Sequence, residues 1–256
     1  MRFPFLPVLF AVLCASTLPA RAQTAALPPR VSVTEPLVDL SRACPGVVIE
    51  LRYATARNVT GKPIYPPGAR ALLRRSVAER LNRAQKFVEN RGFALKVWDA
   101  YRPPAVQKLL WEAIRDPAYV VEPSATGSLH GWGAAVDVTL VDFRGREARM
   151  PTDFDAFSAA ARYDYKGGDP EIAFNLSTLQ RAMAEAGFRH IRDEWWHYSV
   201  AEVRGYGPID VPLAEPSAAL ADAAEPARPK TAEPAAQKRK PRASKLLFPP
   251  RPGETL

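Results

Sequence analysis

The chain holds three histidines, His130, His190 and His197, so an imidazole-based site has few members to draw on. His130 stands in Ser128-Leu129-His130-Gly131-Trp132-Gly133-Ala134-Ala135-Val136-Asp137, and His197 closes Glu194-Trp195-Trp196-His197. Asp137 interrupts an apolar run, Ala134 to Val138, that otherwise reads as an interior strand. A lone carboxylate there is costly unless it is paired or bound to a cation. Fully extended, the chain from His130 to Asp137 would span roughly 23 Å. It must turn if the two side chains are to share an ion, and Gly131 and Gly133 supply the freedom to do so. His190 has no acidic or histidine neighbour at a ligand-like spacing and reads as a surface residue.

Two histidines and one carboxylate around Zn²⁺ leave a fourth position for water, the pattern of a catalytic zinc site. The metal lowers the pKa of that water to about 7. Glu194 would then take its proton and hand it to a leaving amine. Glu194 and His197 are three apart, and on a regular strand such positions face opposite sides. The backbone must therefore bend or bulge between them. A buried polar cluster with no metal explains the same residues, and spacing alone leaves both readings open. Arg102, in Trp98-Asp99-Ala100-Tyr101-Arg102-Pro103-Pro104, lies where a strand gives way to a helix. A guanidinium there can brace the oxyanion formed when water attacks a carbonyl, with Asp99 to orient it.

Several elements must position these residues. Val47 to Tyr53 reads as a strand, and 58–68, with its prolines, as a loop. Ala71 to Asn90 carries Leu72, Leu73, Val77, Leu81, Ala84 and Val88 on one broad helical face. Asn90-Arg91-Gly92 ends that helix. Phe93 to Trp98 is a strand, and Pro103 to Ile114 a helix opened by its prolines. Ala134 to Val141 is a strand. Ser177 to Ala186 is a helix with Ser177 as N-cap, and Trp195 to Val200 a last strand. Strands and helices do not alternate strictly, so the expected fold is α+β: one domain over 31–213, a mainly antiparallel sheet and flanking helices.

The net charge of +8 suggests a nucleic-acid binder until it is mapped. Residues 23–227 hold 25 basic and 25 acidic side chains, whereas 228–251 hold eight basic residues and one acid, Glu233. The basic character lives in a tail, which argues against a nucleic-acid groove in the folded part. From 215 to 256 the chain is rich in Ala, Pro, Lys and Arg and is expected to be flexible. Its Lys238-Arg239-Lys240 cluster suits contact with an anionic surface, and a merely solubilising tail explains it equally well. Residues 1–22 read as a secretory leader: Arg2, an apolar run from Leu6 to Ala15, then Ala20-Arg21-Ala22 before Gln23. Cys14 leaves with the leader, so Cys44 has no partner for an intramolecular disulfide and reads as a buried thiol. The expected location is therefore export to the periplasm or association with the cell envelope, and an exported protein without disulfides must rely on its core or on a metal.

The segments "SLHGWGAAVDVTL", "EWWHYS" and "WDAYRP" together resemble the zinc D-alanyl-D-alanine dipeptidases, within the zinc D,D-peptidases that share a fold with the hedgehog signalling domain. Leu51 to Thr55, Asn58 to Gly61 and Met150 to Asp155 also look like the dipeptidase branch. By position, the resemblance implies His130, Asp137 and His197 as ligands of one Zn²⁺. It implies Glu194 as general base and acid, Arg102 as the group that stabilises the transition state, and Ser128 as a contact to the substrate's amino end. The implied activity is hydrolysis of D-Ala-D-Ala in cell-wall peptide turnover. A D,D-carboxypeptidase acting on longer wall peptides is the alternative, and a wall-binding module with a structural zinc is a third reading.

Overall fold

The computed structural model describes residues 35–124, 127–200 and 208–214. The leader over 1–22 and the tail over 215–256 lie outside the described residues. The elements run β1 (Leu37–Asp39), α1 (Leu40–Ala43), β2 (Val48–Ile49), β3 (Leu72–Arg74), α2 (Arg75–Glu89), β4 (Phe93–Asp99), α3 (Pro104–Ile114), β5 (Ala135–Asp142), α4 (Pro170–Glu185), β6 (Arg189–His190) and β7 (His197–Ser199). Five strands form one sheet in the order β2-β4-β5-β7-β6, and β1 pairs with β3 apart from it. Only β2 against β4 is parallel; the other pairings are antiparallel. The fold is α+β.

β4 and β5 are the centre, and both are almost wholly buried. α2 and α4 pack on each other, α2 against β4 and α4 against β5. Val77, Leu81, Ala84 and Val88 of α2 are all fully buried at helical spacing. Burial of each Val or Leu side chain contributes about 1.5–3 kcal/mol. Cys44 is buried, its Sγ donates to the Ala78 carbonyl at 3.1 Å, and burial pushes the thiol up to about 12. It is inert.

Some boundaries differ from those read in the sequence. Leu72 to Arg74 is strand, not the start of a helix, because it pairs with β1 in register Leu37↔Arg74 to Asp39↔Leu72. The helix begins only at Arg75. The strand expected over 47–53 is two residues long, and Arg52 to Ala54 turn into a 3-10 helix. Ser177 is not an N-cap: α4 starts two turns earlier, where Asp169 accepts from Glu171 N and Ile172 N. The Ser177 hydroxyl instead donates to the Phe174 carbonyl inside the helix. The last strand begins at His197 rather than Trp195.

Candidate active site

Sheet register brings the acidic and imidazole groups together. Asp137 on β5 pairs directly with His197 on β7. On its other side, Asp137 pairs with Asp99 of β4. That second pairing exists because β4 bulges between Val97 and Asp99: two steps on β4 answer one step on β5. Trp98 is the extra residue, and the bulge re-aims Asp99 onto the face that carries Asp137. His130 arrives from outside the sheet on a 3-10 turn, Leu129–Trp132, closed by Gly133 at φ 65°. Only a residue tolerant of the left-handed region fits there. The Ser128 hydroxyl accepts from His130 N at 3.3 Å and so caps the turn.

His130 Nε2, His197 Nδ1 and Asp137 Oδ1 form a triangle with edges of 3.1, 3.0 and 3.4 Å. A tetrahedral ion with ligand bonds of about 2.0–2.1 Å holds its ligand atoms roughly 3.3 Å apart. The triangle therefore fits such an ion. His130 Nδ1 lies 2.7 Å from the Ala100 carbonyl, which can only accept. Nδ1 carries the proton, and Nε2 presents a lone pair to the triangle. Burial pushes the His197 imidazole down, towards the neutral form a metal needs. Burial alone would raise Asp137, but the charge His130 carries when protonated, and hydrogen bonds from both imidazoles, outweigh it and hold the carboxylate well below its usual range. Two imidazoles and a carboxylate suit zinc or a related transition metal.

Glu194 lies outside β7, in the bent segment before it, so the strand rule for positions three apart does not apply. Its Oε2 is 3.9 Å from His197 Nδ1, beside the triangle without joining it. Burial, and then the charges of Asp137 and Asp155, push its carboxyl well above the ordinary range. Trp195 is anchored by its ring N–H on Thr152 Oγ1 at 2.9 Å and by its backbone N–H on the Ala161 carbonyl. Trp195 packs edge-on against Trp98 and Trp196.

Arg102 follows β4 and is held from three sides. Nε and Nη2 donate to Asp99 Oδ2 at 2.9 and 2.6 Å, and Nη1 donates to Gln107 Oε1 at 2.9 Å. A guanidinium has five N–H groups. One on Nη1 and one on Nη2 are left, and Nη2 lies 3.8 Å from Asp137 Oδ2. Asp99 itself is fully buried. Its Oδ1 accepts from the Tyr65 hydroxyl and from Ala100 N.

The reactive groups border one cavity of about 490 Å³, with Asp99 buried behind Arg102. Ser128, Arg102, His130, Asp137, Glu194 and His197 all line it, so the six site residues implied by the resemblance border one space. It adds others. Asp155 also lines the cavity, at φ 56° in a loop, with Tyr53 OH at 3.3 Å and Val59 N at 3.1 Å. Burial, then the charge of Asp137, raises Asp155 to about 7. Sequence reading missed Asp155 because one acid in a Pro/Asp-rich loop carries no local signal. Gln107, hidden on α3, was missed for the same reason. His190 is exposed as expected, yet it borders the cavity too and stacks on Tyr163 at 3.5 Å.

Residues 33–208 match the family described as D-ala-D-ala dipeptidase. The chain belongs to this family. It is 37% identical over 175 residues to the D-alanyl-D-alanine dipeptidase of Escherichia coli, covering 68% of this chain and 90% of that protein. Over 180 residues it is 32% identical to the protein of that name from Streptomyces coelicolor, covering 61% of this chain and 87% of the relative. The Enterococcus faecalis relative is 30% identical over 176 residues, 61% of this chain and 87% of its own length. The family places the chain among peptidases, and the buried triangle is a group that could hold a metal ion.

Proposed function

We propose that the chain is an exported zinc metallopeptidase that hydrolyses D-alanyl-D-alanine to two molecules of D-alanine, in cell-wall peptide turnover. The observation that carries this reading is the buried His130–Asp137–His197 triangle with Glu194 at 3.9 Å. In this reading the three residues hold one zinc. When bound, zinc supplies a Lewis acid that polarises a carbonyl and makes water more acidic. Glu194 accepts the proton of the attacking water and returns it to the amine as the C–N bond breaks. A carboxyl raised above its ordinary range is, once ionised, a better proton acceptor than a free one. Arg102 turns its two remaining N–H groups towards the oxygen that gains charge. Asp155, the carboxylate left over, receives the substrate's ammonium, and Ser128 borders the same space.

Two features favour the dipeptide over longer wall peptides. The amino group must reach Asp155, and Phe157 and Tyr119 stack at 4.3 Å in the same wall. An amino-terminal extension would have to pass them. Export rests on the leader-like residues 1–22, and the basic tail is proposed to touch an anionic part of the envelope. No helix among the described residues is long and apolar enough to cross a membrane.

The deciding experiment is release of D-alanine from D-Ala-D-Ala and from a D-Ala-D-Ala-ended pentapeptide, with zinc and after chelation. Chelator-sensitive turnover of the dipeptide alone supports the proposal. Turnover of the pentapeptide would move it to a carboxypeptidase. No turnover of either by zinc-loaded protein would remove both and leave the wall-binding reading.

A further inference from the structure

Two arginines line the cavity, and they are in opposite states. Arg102 is buried and spends three N–H groups on Asp99 and Gln107. Arg189 makes no side-chain hydrogen bond or ion pair among the described residues and is exposed. Its place in the sheet is defined. β6 pairs with β7 so that Arg189 lies opposite Ser199, two residues beyond His197. Cross-strand partners share a face, and so do positions two apart on a strand. Arg189 therefore projects from the face that presents His197 and Asp137. Ser199, nearly buried, borders the same cavity.

The proposed substrate is a zwitterion. Its ammonium has a receiver in Asp155, and its scissile carbonyl has the metal triangle and Arg102. Its carboxylate has no receiver among those groups: Asp137, Asp155 and Glu194 repel it, and Arg102 is committed to the reacting oxygen. We propose that Arg189 is the carboxylate anchor, a specificity-determining residue that requires a free C-terminus one residue beyond the cleaved bond. The planar fork of the guanidinium matches a carboxylate with two parallel N–H···O bonds. This inference rests on the dipeptidase reading and adds to it the means by which a free acid is told from a blocked one.

The test compares D-Ala-D-Ala with its C-terminal amide, D-alanyl-D-alaninamide, in wild-type protein, Arg189→Ala and Arg189→Lys. A charge-assisted bond of this kind corresponds to about a 10- to 100-fold change in affinity. Arg189→Ala is expected to raise KM for the dipeptide by that factor, with kcat within about threefold, because the contact is equal in ground and transition states. For the amide, kcat/KM should be the same in wild type and variant. Arg189→Lys should recover part of the dipeptide KM. Equal losses on acid and amide, or no loss on the acid, would overturn the anchor. Absence of dipeptide turnover in the wild type would instead overturn the function proposed above, and that is seen before any variant is made.

Discussion

Replacing Asp99 by Asn tests how the site is held. Asp99 Oδ2 accepts two N–H bonds from Arg102, at 2.9 and 2.6 Å, in a fully buried position. An amide in its place loses the charge and, with its NH₂ at that position, sets donors against donors. Breaking a buried ion pair by removing one partner costs about 3–5 kcal/mol. That is a large part of the roughly 5–15 kcal/mol that stabilises a typical domain. Arg102 keeps Gln107 but loses its aim. Loss of one aligned oxyanion donor costs about 10²–10³ in kcat. The expectation for Asp99→Asn is thus both: urea unfolding of zinc-loaded protein shifts by about 3–5 kcal/mol, and kcat/KM for D-Ala-D-Ala falls by about 10²–10³. Tyr65→Phe is the control. It removes a neutral donor from Asp99 Oδ1, should cost about 1 kcal/mol, and leaves Arg102 aimed. An Asp99→Asn protein within about threefold of wild-type activity would refute the positioning argument, as would a Tyr65→Phe loss of equal size.

The remaining predictions concern the acid groups, the turn and the metal. Glu194→Gln should lose about 10²–10⁴ in kcat while binding one zinc per chain with unchanged stoichiometry by metal analysis. Asp155→Asn should raise KM far more than it lowers kcat. Because Asp155 sits at about 7, it is ionised above that pH and neutral below it. KM for the dipeptide should therefore rise as pH falls below about 7, and a zinc beside Asp137 moves that limb lower by offsetting its charge. A KM flat down to about pH 5 would contradict the role of Asp155. Gly133→Ala forces a side chain into φ 65° with its Cβ 2.5 Å from Leu37 Cδ2. A loss of about 1–3 kcal/mol, read at about 2–4 °C of Tm per kcal/mol, should follow, with weaker zinc binding through the displaced His130 turn. Chelation should lower Tm reversibly, and added zinc should restore it.

What the sequence determined by itself was a short set of candidate site residues. Three histidines, one carboxylate inside an apolar strand and a Glu three residues before the last histidine limited the candidate ligands to a few residues. The residue types alone carry that information, because a buried Asp must be paired and imidazole is scarce here. The sequence also carried the long amphipathic helix over α2 and the apolar β4 and β5, whose periodicity reports burial directly. Tertiary structure decided the rest. Leu72 to Arg74 reads as helix by its apolar spacing and is strand because β1 lies beside it. Glu194 reads as misplaced for a strand and is well placed because the strand begins after it. The opposition of Asp99, Asp137 and His197 depends on strand register and on one bulge at Trp98, neither of which leaves a local signal. Asp155, Gln107 and Arg189 stand in separate parts of the chain, and only the fold brings them to one cavity. Residue identity sets what a group can do, while partner and orientation are set by contacts between distant segments, which no local pattern encodes.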